Sequence, residues 1–208
     1  MNKSMPVCGR NLHRLVSSMV MMCLVAILSG CATHYVDTAT TDVPLSTYKK
    51  VDQPKAVQVV FEFQTKGVPN SRATGFFKTQ VVDQVKASGL FSSVEEKPVP
   101  GGTTLGITVN NVPLTDDAFG KGFVTGLTFG LAGSQVTDGY ICTLDYSSDV
   151  QGSNVTKTAR HAIHTVMGAK GAPNNAEPAK NIEEAVRTMA RQIVGTALRD
   201  LSLDPAFK

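Results

Sequence analysis

The stretch AVQVVFEFQTKGVPNSRATGFFKTQVVDQVKASGLF, residues 56–91, changes its apolar period once, and that change sets the fold class. In its first eight residues Val57, Val59, Phe61 and Phe63 alternate with Gln58, Val60 and Glu62, the period of a strand with one buried face. From Asn70 onward the spacing lengthens. Ala73, Phe77, Val81 and Val85 recur at four-residue steps with Val82 beside them, which predicts a helix capped by Asn70 or Ser71. Gly89 stands where a helix end wants a left-handed residue, and Leu90 and Phe91 are placed to lock the helix onto a sheet.

Working outward, a short strand is expected near Val94, and Pro98, Pro100, Gly101 and Gly102 mark a turn. Residues 104–112 read as a strand with Leu105, Ile107 and Val109 on one face. Residues 139–148 and 156–167 read as a hairpin joined around Gly152, Ser153 and Asn154, and 168–178 as a loop. The closing helix carries Ile182, Val186, Met189, Ile193 and Ala197 as one stripe, extended by Leu198 and Leu201. Asn174 or Asn175 caps it, Pro178 falls in its first turn, and Asp204-Pro205 ends it. One sheet with both helices on a single face buries these stripes. The expected fold is an α+β two-layer sandwich with a mainly antiparallel sheet.

The chain has 208 residues, 42% of them hydrophobic and 18% charged, with a formal net charge of +3. Disordered and collagen-like chains are excluded by that apolar fraction. Lys3, Arg10 and Arg14 precede the first acid, Asp37. Without those three the 20 bases fall to 17, equal to the 17 acids, so a nucleic-acid partner has no electrostatic footprint.

Those three bases precede the apolar run LVSSMVMMCLVAIL at 15–28, which is followed by Ser29, Gly30 and Cys31. A basic start, a short apolar core and small residues form a secretory signal peptide, and the run is too short to span a bilayer as a helix. Leu28-Ser29-Gly30-Cys31 resembles the lipobox of bacterial lipoproteins at all four positions. The resemblance implies cleavage between Gly30 and Cys31, a membrane lipid on the Cys31 sulfur and acylation of the new amino terminus. Several acyl chains hold far more firmly than one. Ala32, not Asp, follows the cysteine, which by resemblance to enteric lipoproteins implies the outer membrane. The expected organisation is a signal peptide at 1–30, a lipidated tether at 31–54 and one α/β domain at 55–208. Cys8 and Cys23 leave with the signal, so Cys142 is the one thiol of the body, expected to be a buried small hydrophobe.

Between residues 112 and 139 lies FGKGFVTGLTFGLAG, 119–133. Phe119, Phe123, Leu127 and Phe129 interleave with glycines, among which Gly122, Gly126 and Gly130 repeat every four residues, and Lys121 is its one charge. Small residues at that spacing permit close helix approach, and glycine there needs a surface against it. Three readings stand: packing on the domain's own sheet, docking on an envelope partner or another copy, and insertion into lipid beside the anchor. The glycines do not form a phosphate cradle, because Gly120, Gly122 and Gly126 miss the dinucleotide spacing by one residue.

No catalytic, metal or cofactor set emerges from the spacing. His161 and His164 fall on opposite faces of a strand, which suits no shared metal. Arg160 beside His161 could bind an anion, but one arginine is weak evidence; His34 has no evident role, and the adjacent acids Glu95-Glu96 and Asp116-Asp117 point apart on a strand. In topology the body resembles the small periplasmic α/β accessory lipoproteins of curli and exopolysaccharide secretion and of cell-wall synthase activation, over the tether, 56–91 and the closing helix. That resemblance implies a non-enzymatic role through protein contacts and transfers no functional residue. The alternatives are a ring-forming secretion-pore subunit and a periplasmic ligand-binding or enzymatic domain on the open sheet face.

Overall fold

The computed structural model describes residues 32–114, 135–149, 152–167 and 171–207. Its strands are β1 (Thr33–Asp37), β2 (Ala56–Thr65), β3 (Val68–Pro69), β4 (Ser93–Glu95), β5 (Thr104–Pro113), β6 (Gln135–Ser148), β7 (Ser153–Val166) and β8 (Ala176–Ala179). Helix α1 spans Ser71–Ala87 and helix α2 Ile182–Ser202. The strands form one open sheet in the order β3-β2-β5-β6-β7-β1-β8, with β4 also on β2.

The sheet is mixed, which corrects the mainly antiparallel one expected. β2 runs parallel to both β4 and β5, while the remaining pairings are antiparallel. The cause is the crossover through α1. A helix that returns the chain to the starting end of β2 makes the next strands enter in the same direction.

Local chemistry at α1 follows the expectation. Asn70 is its cap, with Oδ1 accepting from Ala73 N at 3.0 Å, and Gly89 takes φ +67° just beyond the end. Phe77, Val81, Val82 and Val85 are buried, and the Phe77 ring stacks on Phe63 of β2 at 5.3 Å. Phe91 meets Tyr146 and Phe207, closing that side of the core. Val57, Val59, Leu105, Ile107, Cys142 and Leu144 share this core with both helices, which also pack on each other. A fully buried side chain such as Ile193 costs about 2–5 kcal/mol to truncate to alanine.

Three local expectations are corrected. Residues 33–37, assigned to a tether at 31–54, are a strand clamped between β7 and β8. Farther along the same segment Tyr48 is buried and its hydroxyl donates to Gly195 O at 3.2 Å. The loop expected at 168–178 contains the start of β8, whose Pro178 is tolerated because β8 is an edge strand. Finally, α2 is capped by Asn181, whose Oδ1 accepts from Glu184 N at 2.9 Å, and not by Asn174 or Asn175. Glu184 returns the contact by accepting from Lys180 N at 2.6 Å, a variant of the capping box.

Candidate functional site

Gly30 and Cys31, and the interaction candidates Phe119, Gly122, Phe123, Gly126, Leu127, Phe129 and Gly130, all lie outside the described residues. What is described is where the chain departs toward them. Ala32 alone separates Cys31 from β1. The register then sets Thr33 opposite Val166, and Val166 opposite Gln135, the first residue of β6. Neighbouring strands are about 4.8 Å apart, so the start of β1 and the start of β6 sit within about 10 Å at one end of the sheet.

β1 is held by polar side chains on both faces; on the helix-facing side His34 Nδ1 lies 3.1 Å from Thr165 Oγ1 of β7. On the face away from the helices, Asp37 and His164 are both buried, and Asp37 Oδ2 lies 3.3 Å from His164 Nε2. His164 Nδ1 meets Thr137 Oγ1 of β6 at 3.0 Å, so one imidazole ties β1 to β6 across β7. Asp37 Oδ1 accepts from Ala39 N at 2.7 Å, turning the chain out of the strand. Thr40 Oγ1 then donates to Arg160 O at 2.8 Å, and Asp42 takes a two-pronged contact from Arg191 at 2.7 and 3.0 Å. The Arg191 guanidinium holds the Asp42 carboxyl below the ordinary carboxylate range, against a smaller opposing effect of burial.

On the helix-facing side, His161 Nδ1 accepts from Ala162 N at 2.8 Å, which leaves the proton on Nε2 to donate to Gln192 Oε1 at 2.7 Å. Burial pushes the His161 imidazole toward its neutral form, and the contact with Gln192 offsets part of that effect. Cys142 is fully buried on this side, as expected, and loss of hydration raises its thiol to about 12.

Carboxylate, imidazole and hydroxyl in line, as in Asp37–His164–Thr137, are the components of a proton relay. Here they join β1 to β6 across β7, with His164 fully buried. The sequence offered no signal for this cluster, because Asp37 and His164 are 127 residues apart and Thr137 sits on a third strand.

Among the described residues, Arg160 and His161 do not gather into one pocket. His161 faces α2 through Gln192 while its neighbour Arg160 is exposed, the two pointing to opposite sides of β7. A cleft of about 310 Å³ lies between the chain after β1 and α2, bordered by Asp37, Asp42, Glu184 and Arg191. A second, of about 340 Å³, is bordered by Lys49, Lys50, Lys55 and Phe207. Neither includes Arg160 or His161. Glu95 and Glu96 form no dyad; Glu96 instead pairs with Lys78 at 2.6 Å on the surface. Among the described residues no three His, Cys, Asp or Glu side chains converge as metal ligands.

No family model matches this chain, and no curated protein matches it. Among solved structures, a PelC variant dodecamer from Paraburkholderia phytofirmans is similar at 13% identity, over 82% of this chain and 95% of that one, with a TM-score of 0.37. A DUF330 protein from Xanthomonas campestris follows at 13% identity, 78% and 87% coverage and a TM-score of 0.35. A protein from Caulobacter crescentus described as a lipoprotein stands at 12%, 78% and 89%, with a TM-score of 0.30. Likeness at this level carries no argument about activity, partners or assembly.

Proposed function

We propose that the mature chain is a lipid-anchored protein of the outer membrane's periplasmic face, working through protein contacts and not through catalysis. The motif Leu28-Ser29-Gly30-Cys31 supports the anchor, and Ala32 supports the outer membrane over the inner one. The observation that carries the reading is the start of the sheet immediately after that motif. Both edges of β1 are taken, by β7 and β8, so the first described strand is already part of the sheet two residues past Cys31. The separation of Arg160 from His161 and the sealed His164 support a non-enzymatic role.

The deciding experiment is metabolic labelling with palmitate, followed by mass analysis of the N-terminal peptide and fractionation of the membranes. Acylated Cys31 in the outer-membrane fraction is the expected result, with label lost in Cys31→Ala. A wild-type chain that takes no label ends the reading. Contacts through 119–133 are tested by deleting 120–133; unchanged associations and unchanged envelope integrity would remove the role given to that segment.

A further inference from the structure

The closing helix was expected to bury Ile182 with the rest of its stripe, yet Ile182 is 48% exposed. It is not alone. Val136 is 50% and Met167 44% exposed, and all three belong to the end of the domain where the chain arrives from Cys31. The register brings them to one end of the sheet. His34 of β1 pairs with Thr165 of β7, and Thr165 with Val136 of β6, so the three form one row across three strands. Residues directly opposite share a face, and Met167 lies two residues beyond Thr165 on the same alternation. On the far side of β1, His34 pairs with Ala179, three residues before Ile182 opens α2. Single exposed apolar residues are ordinary on a protein surface; three at one end of the domain, two of them on one sheet face, are less so.

Resting on the lipid anchor proposed above, we infer that Val136, Met167 and Ile182 form a rim that lies on the lipid surface and sets the body in one orientation. The occupant follows from chain length. Cys31 is three residues from His34, a span of at most about 11 Å, so acyl chains on Cys31 bring bilayer to this corner and to no other. Half-exposed Val, Met and Ile side chains suit the boundary between headgroups and acyl chains, and exposed Lys180 beside them can reach headgroup phosphates along its apolar stem. The acyl chains supply attachment; the rim supplies direction.

The chain has no tryptophan, so single substitutions give a clean depth probe. Full-length chains carrying Val136→Trp, Met167→Trp or Ile182→Trp would be expressed, processed, purified and placed on vesicles of phosphatidylethanolamine and phosphatidylglycerol with brominated acyl chains. Leu203→Trp is the control, 55% exposed and the length of α2 away. Blue-shifted emission and quenching at the three rim positions, with Leu203→Trp unchanged, is the expected result. No quenching at the rim in protein whose mass shows acylated Cys31 overturns the rim and leaves the anchor standing. Equal quenching at Leu203→Trp overturns the fixed orientation. A mass without acyl groups overturns the anchor and the rim together. Hydrogen exchange of the wild-type acylated chain provides the second readout, with protection of 135–137, 165–167 and 181–184 expected on vesicles, and its absence counting against the rim.

Discussion

Asp37 Oδ2 and His164 Nε2 stand 3.3 Å apart with both side chains closed off from water, and this contact joins the first strand of the domain to the seventh. Removing one partner leaves the other buried with an unmet polar atom, which costs more than the net value of an ordinary hydrogen bond. Asp37→Ala is therefore expected to destabilise the domain by about 2–4 kcal/mol. Asp37→Asn, which keeps the shape and one oxygen, should cost less than half of that. Urea unfolding of the two variants beside the parent checks the order; equal losses would mean that packing, not the contact, holds the position.

The pH dependence has a definite sign. His161 is buried neutral, so its folded pKa lies below the value near 6.5 that it has when unfolded. Below that value the unfolded chain binds a proton that the folded chain resists, and stability falls as the pH drops. The contribution is whole above about pH 6.5 and declines from there down to the folded pKa. The Asp42 carboxyl, depressed by Arg191, gives its own contribution above its unfolded value of 3.8 and loses it only as the pH falls below that. Unfolding free energies measured at intervals from pH 8 to pH 5 should decline, and His161→Gln should flatten the slope. A slope unchanged in that variant would assign the effect to another group.

Cys142 offers a test that needs no variant. Its thiol is fully buried and raised to about 12, so at neutral pH it is neither ionised nor reachable. Thiol reagents are expected to leave the native mature chain untouched and to label one site per chain in urea. Rapid labelling of the native protein would show that β6 opens, or that this thiol faces solvent.

Deleting residues 32–42 distinguishes a tether from a structural strand. A tether can be removed at no cost. Loss of β1 would expose the flank of β7, take Val36 out of the core and remove the Asp37 contact of His164, which together cost about 3–5 kcal/mol. A lowered unfolding midpoint is expected, and a parental midpoint would return the segment to the tether reading.

That contrast shows what the sequence could express. Val57 to Phe63 and the α1 stripe were legible because each element buries one face and repeats its own period. Cys142 was legible because it sits in phase with Tyr140 and Leu144. β1 was not, since it is five residues long and places only Val36 in the core, while Asp37 is buried by a partner far along the chain. β8 was hidden by Pro178, which a strand accepts only at an edge, and a single chain does not announce its edges. The direction of β5 beside β2 was equally silent, because alternation is the same for parallel and antiparallel neighbours. The seat of β1 joins residues from β1, β6 and β7, so no local window contained it.

The clamping of β1 right after Ala32 also limits how far the protein can act. One linking residue adds at most about 3.6 Å of reach. A body of this size is about 40 Å across, from a radius of gyration near 16 Å. If Cys31 carries the proposed acyl chains and sits in the outer membrane, the described body would stay within that shallow layer above the bilayer, short of the inner membrane. Any protein it engages must itself come to the membrane surface, and the search for partners narrows to those that do.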